Sequence, residues 1–377
     1  MVWFNALLAY YFYHRFLSNE ITAQNTAMKN AVMKDAAEEN MTVKNISVEK
    51  ICRQKRSEDV CLLLAAMIFG GNLLYGIIAL HTQPEPTETI SVAIVQGNIS
   101  SSEKWGDNGE LLSLEVYLSM TRDLTEEEEV DLIVWTESCI PVVLNRYQEV
   151  SRQIQELAVE CNAVILVGSY YIDESDRYNA VYAFYPDGTV GSQPYCKRRL
   201  VPFGEYMPRF SFLEAVVPAL AELNLMQSAF TAGTDSAVFS TDFGSIGGLV
   251  CFDSVYEGPS LSSVRDGAEL LALLSNDAWY DSSCAVSVLL GHAVLRAVEN
   301  GRSIVRGANT GISAIIDANG QIQTESNLRT AEVIRGEVSL YSHRTLYSRV
   351  GNILLSVCLL YVLILLNPFR GKKFTEK

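Results

Sequence analysis

The chain has no cluster of basic residues interleaved with aromatics, and its 29 lysines and arginines are outnumbered by 44 aspartates and glutamates, a formal charge of −15 over 377 residues. That balance excludes the electrostatic footprint of phosphate-backbone binding, so nucleic acid is not an expected partner. Acidic runs such as residues 126–129 read as solvated loops. Zinc-site spacing is lacking too. None of the eight cysteines lies at the separations of a structural metal site, and no metal or cofactor is expected. No small-residue cleavage site follows an apolar core near the N-terminus, which argues against a secretory leader.

Long uncharged apolar sequence, by contrast, is plentiful. At 49% hydrophobic residues and a mean hydropathy of +0.13, the chain can bury a large core and still have apolar sequence left over. Residues 60–80, VCLLLAAMIFGGNLLYGIIAL, form 21 positions without a charge, and residues 350–366, VGNILLSVCLLYVLILL, form 17. Both have the length of a transmembrane helix, and neither shows the polar face of a globular one. Arg53, Lys55 and Arg56 precede the first run; Arg370, Lys372 and Lys373 follow the second. The positive-inside rule therefore puts both clusters in the cytoplasm and residues 82–349 outside a cell membrane. Residues 1–17 read as part of a further membrane helix, 18–59 as a polar cytoplasmic loop and 368–377 as a cytoplasmic tail.

Between the spans the sequence alternates. Strand-like runs start at Ser91, Asp131, Ala163, Ala180, Ser245, Glu269, Ser303 and Ser313, and helical spacing appears over 147–161 and 287–300. This predicts an α/β domain over residues 88–343, its sheets covered by helices. The turn signal Tyr185-Pro186-Asp187-Gly188 marks a hairpin, so the sheets are expected to be mixed.

Three residues carry the chemistry: Glu137 in LIVWTES, Lys197 in YCKRRLVPFGEY and Cys251 in IGGLVCFDS. Glu137 and Cys251 each stand where an apolar run meets a loop, a usual place for catalytic groups on α/β sheets. A carboxylate, an ammonium and a thiol are what acyl transfer through a thioester requires, as base, charge stabiliser and nucleophile. A mixed Glu and Lys environment is expected to help hold the thiol as thiolate. Taken singly they are equally compatible with a surface Glu, a surface Lys and an inert buried Cys.

The strings WTES, YCKRRLVPFGEYMP, GGLVCFDSVY, NDAWY and ENGRSIVRGANTGISAIIDANG, in that order, resemble the nitrilase superfamily of carbon–nitrogen hydrolases. With the flanking spans, and TLYSRVGN leading into the second, they resemble its membrane branch, the apolipoprotein N-acyltransferases. The resemblance implies a four-layer α-β-β-α sandwich flanked by transmembrane helices, with a shortened N-terminal membrane region. It implies Glu137 as general base, Lys197 as stabiliser of the tetrahedral intermediate and Cys251 as nucleophile. Glu205 matches an acidic residue used beside the triad, although an ion pair with a nearby arginine would also explain it. Trp105, in SSEKWGD, matches an aromatic residue on a mobile arm, or is simply a loop residue over the core. Phe252 and Asp253 stand where the family more often has Tyr and Glu beside the substrate.

By the same resemblance the acyl donor is a membrane phospholipid, the acceptor a diacylated apolipoprotein, and the location the bacterial inner membrane. Residues 210–226 form an apolar candidate for a lid on the bilayer, or an amphipathic helix packed on the core. Two rivals stand beside this reading: an extracytoplasmic amidase that resolves the acyl-enzyme with water, and a truncated, inactive member of the family. Five cysteines, Cys139, Cys161, Cys196, Cys251 and Cys284, fall in the presumed exported domain, an odd count that leaves at least one thiol unpaired, and Cys139 and Cys196, beside Glu137 and Lys197, are expected to be reduced.

Overall fold

A computed structural model of the chain describes residues 62–63, 65–80, 84–206, 230–280, 283–353, 356 and 359–360. They fall into two units, one of residues 1–83 with 353–377 and one of residues 84–352. In the first unit residues 65–80 are helical, and Leu73, Leu74, Ile77, Ile78 and Leu80 are exposed along this stretch. No helix among the described residues is long and apolar enough to cross a membrane. Most of the run at 350–366, all of 1–59 and 368–377, and the lid candidate at 210–226 lie outside the described residues.

The second unit contains two six-stranded sheets. One has the order β12-β1-β2-β3-β4-β5 and the other β11-β10-β9-β8-β7-β6. In the first, β1 (Glu88–Gln96), β2 (Leu132–Val134) and β3 (Val164–Asp173) run parallel, and β4 (Asp176–Phe184), β5 (Tyr195–Cys196) and β12 (Glu332–Leu340) are added antiparallel. In the second, β7 (Gly244–Val250), β8 (Leu270–Ser275) and β9 (Ile304–Ala308) are parallel. Their antiparallel partners are β6 (Val238–Thr241), β10 (Ala314–Ile316) and β11 (Ile322–Glu325). Both sheets are mixed, as the turn chemistry predicts.

Alternation along the strands builds three cores. Val92 and Ile94 of β1, Leu132 and Val134 of β2 and Val164 and Leu166 of β3 share one cluster with Ile246, Leu270, Ala272 and Leu274 of the other sheet. Their sequence neighbours Ala93, Val95, Ile133 and Ile165 face the opposite way. There they meet α2 (Gly109–Glu127) and α3 (Gln148–Cys161), which follow the short α1 (Ser101–Lys104). On the second sheet Leu249, Leu271 and Leu273 pack on residues of α4 (Glu257–Arg265) and α5 (Ser283–Asn300). Period-two alternation with both faces buried explains why these strands read as unbroken apolar runs. The layers are therefore helix, sheet, sheet, helix.

The turn at Tyr185 closes with a bond from the Gly188 N–H to the Tyr185 carbonyl at 3.0 Å. Gly188 has a φ of +81°, which glycine adopts without steric penalty. Past it the chain returns first as the bridge Phe184–Val190 and then as β5, whose Tyr195 and Cys196 pair with Val181 and Ala180. At the far end α6 (Leu346–Val350) stops at Gly351, whose φ is +63°.

Trp135 locks β2 to α2: its ring is fully buried, its Nε1–H donates to Thr121 Oγ1 at 3.1 Å, and the Tyr117 ring lies 5.1 Å away. Trp135→Ala should lower the unfolding free energy by about 3–5 kcal/mol. Denaturant titration of the purified protein in detergent would read it, and a loss below about 1 kcal/mol would contradict this packing.

Candidate active site

The carboxyl ends of the parallel strands point to one end of the sandwich, where α/β sheets usually place their ligands. Glu137 follows β2, Lys197 follows β5 and Cys251 follows β7. All three line one cavity of about 460 Å³, together with Glu205, Asn179 and Asn276. Trp105 and Trp279, both exposed, stand at its rim.

Lys197 is the hub. Its Nζ lies 3.0 Å from Glu137 Oε1 and 2.8 Å from Glu205 Oε1, with all three side chains largely buried. Asn179 Nδ2–H donates to Glu137 at 2.7 Å and reaches Glu205 at 3.3 Å. The other Glu205 oxygen accepts the Val201 N–H at 2.8 Å. One ammonium and one amide thus serve two carboxylates.

Burial works against the Lys197 charge, but Glu137 and the other nearby anions outweigh it and hold the ammonium well above its ordinary range. Burial pushes the Glu137 carboxyl up from 4.5; Lys197 pulls it down, and Glu205 adds to the rise. The two directions are compatible: burial disfavours the Glu137 anion more than the shared ammonium favours it, while that ammonium gains from both carboxylates. Such a carboxylate is a better proton acceptor than an exposed one.

Cys251 is the first residue after β7 and has a φ of +44°. A non-glycine residue held there costs about 1–3 kcal/mol and persists only where its surroundings enforce it. Two hydrogen bonds hold the turn: Ser254 Oγ–H donates to the Cys251 carbonyl at 2.8 Å, and the Val250 N–H donates to Asp253 at 3.1 Å. Burial, then Glu137, push the Cys251 thiol up, and the Lys197 charge only partly offsets them. The expectation of a standing thiolate is thereby corrected. In this buried position the neutral thiol is favoured, so a base must take its proton during reaction.

Neither Asp253 nor Phe252, both expected beside the substrate, belongs to the cavity wall. Asp253 is fully buried. It accepts the Tyr195 hydroxyl at 2.9 Å, the Arg198 and Arg199 N–H groups at 3.2 and 2.7 Å, and the Val250 N–H. Burial pushes its carboxyl up to about 6, against the pull of Lys197 and of these donors. The shorter aspartate stem keeps its charge inside the turn. Phe252 packs edge-on against Tyr256, centroids 5.6 Å apart. Trp105 lies near-parallel to Tyr170, centroids 6.2 Å apart with 15° between the planes.

Several wall residues escape a sequence reading. Asn179 closes the polar start of β4, DRYN, ahead of its apolar run, and nothing local sets it apart from Asp176 or Arg177. Asn276, Trp279 and Tyr280 belong to the NDAWY string, which marks the family without revealing which side chains face inward. Lys104, one residue before Trp105, is buried, and among the described residues its Nζ has no hydrogen-bond partner. Burial lowers its proton affinity, with the fields of Cys139 and Glu137 opposing.

Residues 91–346 match the carbon-nitrogen hydrolase family. An apolipoprotein N-acyltransferase of Geobacter metallireducens is 33% identical over 305 residues, covering 80% of this chain and 57% of the relative. Another from Shewanella oneidensis is 28% identical over 313 residues, 80% of this chain and 58% of the relative. The chain thus spans somewhat more than half the length of these curated relatives. Among solved structures, Saccharomyces cerevisiae Nit3 of the nitrilase superfamily shares the fold at a TM-score of 0.51 and 17% identity. The match covers 78% of this chain and all of Nit3.

Gly168 on β3 is what lets the Glu137 loop lie so close. A Cβ there would sit 2.3 Å from the Thr136 carbonyl oxygen and 2.8 Å from Glu137 Cα. Gly168→Ala should displace Glu137, costing about 1–3 kcal/mol of stability and about a hundredfold in rate. Unfolding curves and acylation rates on the same preparation would check it; a rate within about twofold of wild type would contradict the close approach.

Proposed function

The chain belongs to the carbon–nitrogen hydrolase family, and on that premise we propose that it is a membrane-bound N-acyltransferase. It moves an acyl chain from a phospholipid, through a thioester on Cys251, to the N-terminal amine of a diacylglyceryl-cysteine lipoprotein. The observation that carries this reading is the convergence of Cys251, Glu137 and the doubly shared Lys197 on one aromatic-rimmed cavity. The names of the relatives supply the substrate class. The exposed leucines and isoleucines over residues 65–80 support contact with a bilayer, from which both lipid substrates would come.

In the first step Glu137 takes the Cys251 thiol proton as Sγ attacks the ester carbonyl of the phospholipid. The Lys197 ammonium faces the developing oxyanion. The tetrahedral intermediate collapses, the C–O bond to glycerol breaks, and Glu137 returns the proton to the departing oxygen. Lysophospholipid leaves and the acyl chain stays on sulfur. In the second step the lipoprotein α-amine attacks the thioester carbonyl and loses a proton to Glu137. The C–S bond breaks, and the same proton regenerates the thiol. Splitting the transfer in two lets one base serve both halves.

Glu205 and Asn179 do not touch the reacting atoms in this scheme. They fix Lys197 and Glu137 relative to one another. Asp253 holds the turn that carries Cys251.

Incubating the protein with acyl-labelled phospholipid and a diacylated lipopeptide should give a hydroxylamine-labile label on the chain, then N-acylated peptide. Cys251→Ala should abolish the label, and Glu137→Gln should slow its formation by about 10²–10⁴. Labelling of Cys251→Ala would move the nucleophile elsewhere. Label followed only by free fatty acid would make the protein a hydrolase, and no label at all would leave an inactive member of the family.

Because the working form of Glu137 is the carboxylate and its pKa is raised above 4.5, the acylation rate should fall as pH drops through a value above 4.5. An acid limb at or below that value, measured by single-turnover labelling, would contradict the raised carboxyl.

A further inference from the structure

We propose that Arg177 is the residue that recognises the phosphodiester of the acyl donor, and so selects a phosphatidyl lipid over a neutral ester. The inference rests on the acyltransferase reading above. It names the group that would hold the donor's charged part while Cys251 holds its acyl part.

Arg177 lies near the start of β4, two residues before Asn179, and lines the same cavity as Cys251, Glu137 and Lys197. Its guanidinium carbon sits 4.5 Å from the centre of the Tyr170 ring and 5.1 Å from that of Phe230. Those two rings, 5.3 Å apart, are also cavity wall. Stacking of this kind engages the face of the guanidinium and fixes its plane. Such stacking does not itself use the in-plane N–H donors. Among the described residues no carboxylate pairs with Arg177, and its Nε is buried without a hydrogen-bond partner.

The other cation of the wall is in a different state. Lys197 is already engaged by Glu137 and Glu205, so it is poorly placed to bind a further standing anion. A buried donor with no acceptor is costly, by about 1–3 kcal/mol. That cost is removed when an anion with two oxygens in one plane arrives, and a phosphodiester has that geometry. The diacylglyceryl-cysteine acceptor carries no phosphate, so the recognition belongs to the first half-reaction. The aromatic rings that hold Arg177 at its face link it to Trp105 through Tyr170, which places the charged site beside the rim.

The test compares two acyl donors on the full-length protein in detergent: a phosphatidyl lipid and an uncharged p-nitrophenyl ester of the same fatty acid. Single-turnover acylation of Cys251 would be followed against donor concentration for wild type, Arg177→Gln and Arg177→Lys. In Arg177→Gln the ratio of phosphatidyl to neutral-ester acylation should fall by at least about tenfold, mainly through a higher half-saturating concentration. Arg177→Lys, which keeps the charge and loses the fork, should recover part of that ratio. An unchanged ratio in Arg177→Gln, whether both rates hold or both drop together, would overturn the assignment and leave the acyltransferase reading intact. A wild type labelled by the nitrophenyl ester but not by phospholipid would overturn both.

Discussion

Asp253 has one carboxylate and four donors, and those donors come from the two segments that must be held in register for the site to exist. Tyr195, Arg198 and Arg199 flank Lys197, whereas Val250 precedes Cys251. A buried carboxylate without water must satisfy its charge locally, and here it does so only if both segments are in place. The distance between nucleophile and ammonium is therefore set by a group that touches neither substrate nor solvent. The left-handed backbone at Cys251 is held by the same turn, so strain at the nucleophile and registration of the lysine have one common support.

The second constraint is arithmetic of charge. Two carboxylates and one ammonium meet in a buried volume, and among the described residues the amide of Asn179 is the additional donor that reaches both acids. Burial, reinforced by Glu205, gives Glu137 its raised proton affinity against the pull of Lys197. Glu205 thus acts on the base and the cation alike: it competes for the ammonium and raises its neighbour. A neutral replacement at 205 would remove a contribution that raises both groups, so the Glu137 carboxyl and the Lys197 ammonium would both shift down.

Much of this was legible from residue patterns, and for a physical reason. Strands β1, β2, β3, β7, β8 and β9 are buried on both faces, so each is an apolar run that ends where the chain turns toward the site. Glu137 and Cys251 could be picked out as the polar residues at such ends. The edge strand β12 could not, because Glu332, Arg335 and Glu337 break its run, and β5 and β6 are too short to show a period. Asn179 was hidden for another reason: its place comes from β4 lying beside β5, a pairing of residues 180 and 196 that no local pattern encodes, and Arg177 is set by Tyr170 and Phe230, the latter more than fifty positions away. Nor could it be read that Asp253 faces inward, since its partners are backbone amides 54 and 55 positions away. The polarity of Cys251 was also misjudged. Adjacency to a lysine suggests a thiolate, but burial beside two acids favours the thiol.

Burial of that thiol bears on how long such a protein would last outside the cytoplasm. Alkylating agents, peroxide and disulfides all react with thiolate, and a site that keeps the proton on sulfur until an ester arrives is slow to react with any of them. Cys139 and Cys196, next in sequence to the two charged partners, are pushed up to about 12 by burial, so they are equally poor at attacking an oxidised neighbour. On the proposed reading, the desolvation that makes Cys251 depend on a base would also shield it from oxidants, and resistance to an oxidising surrounding would come from the interior of the fold.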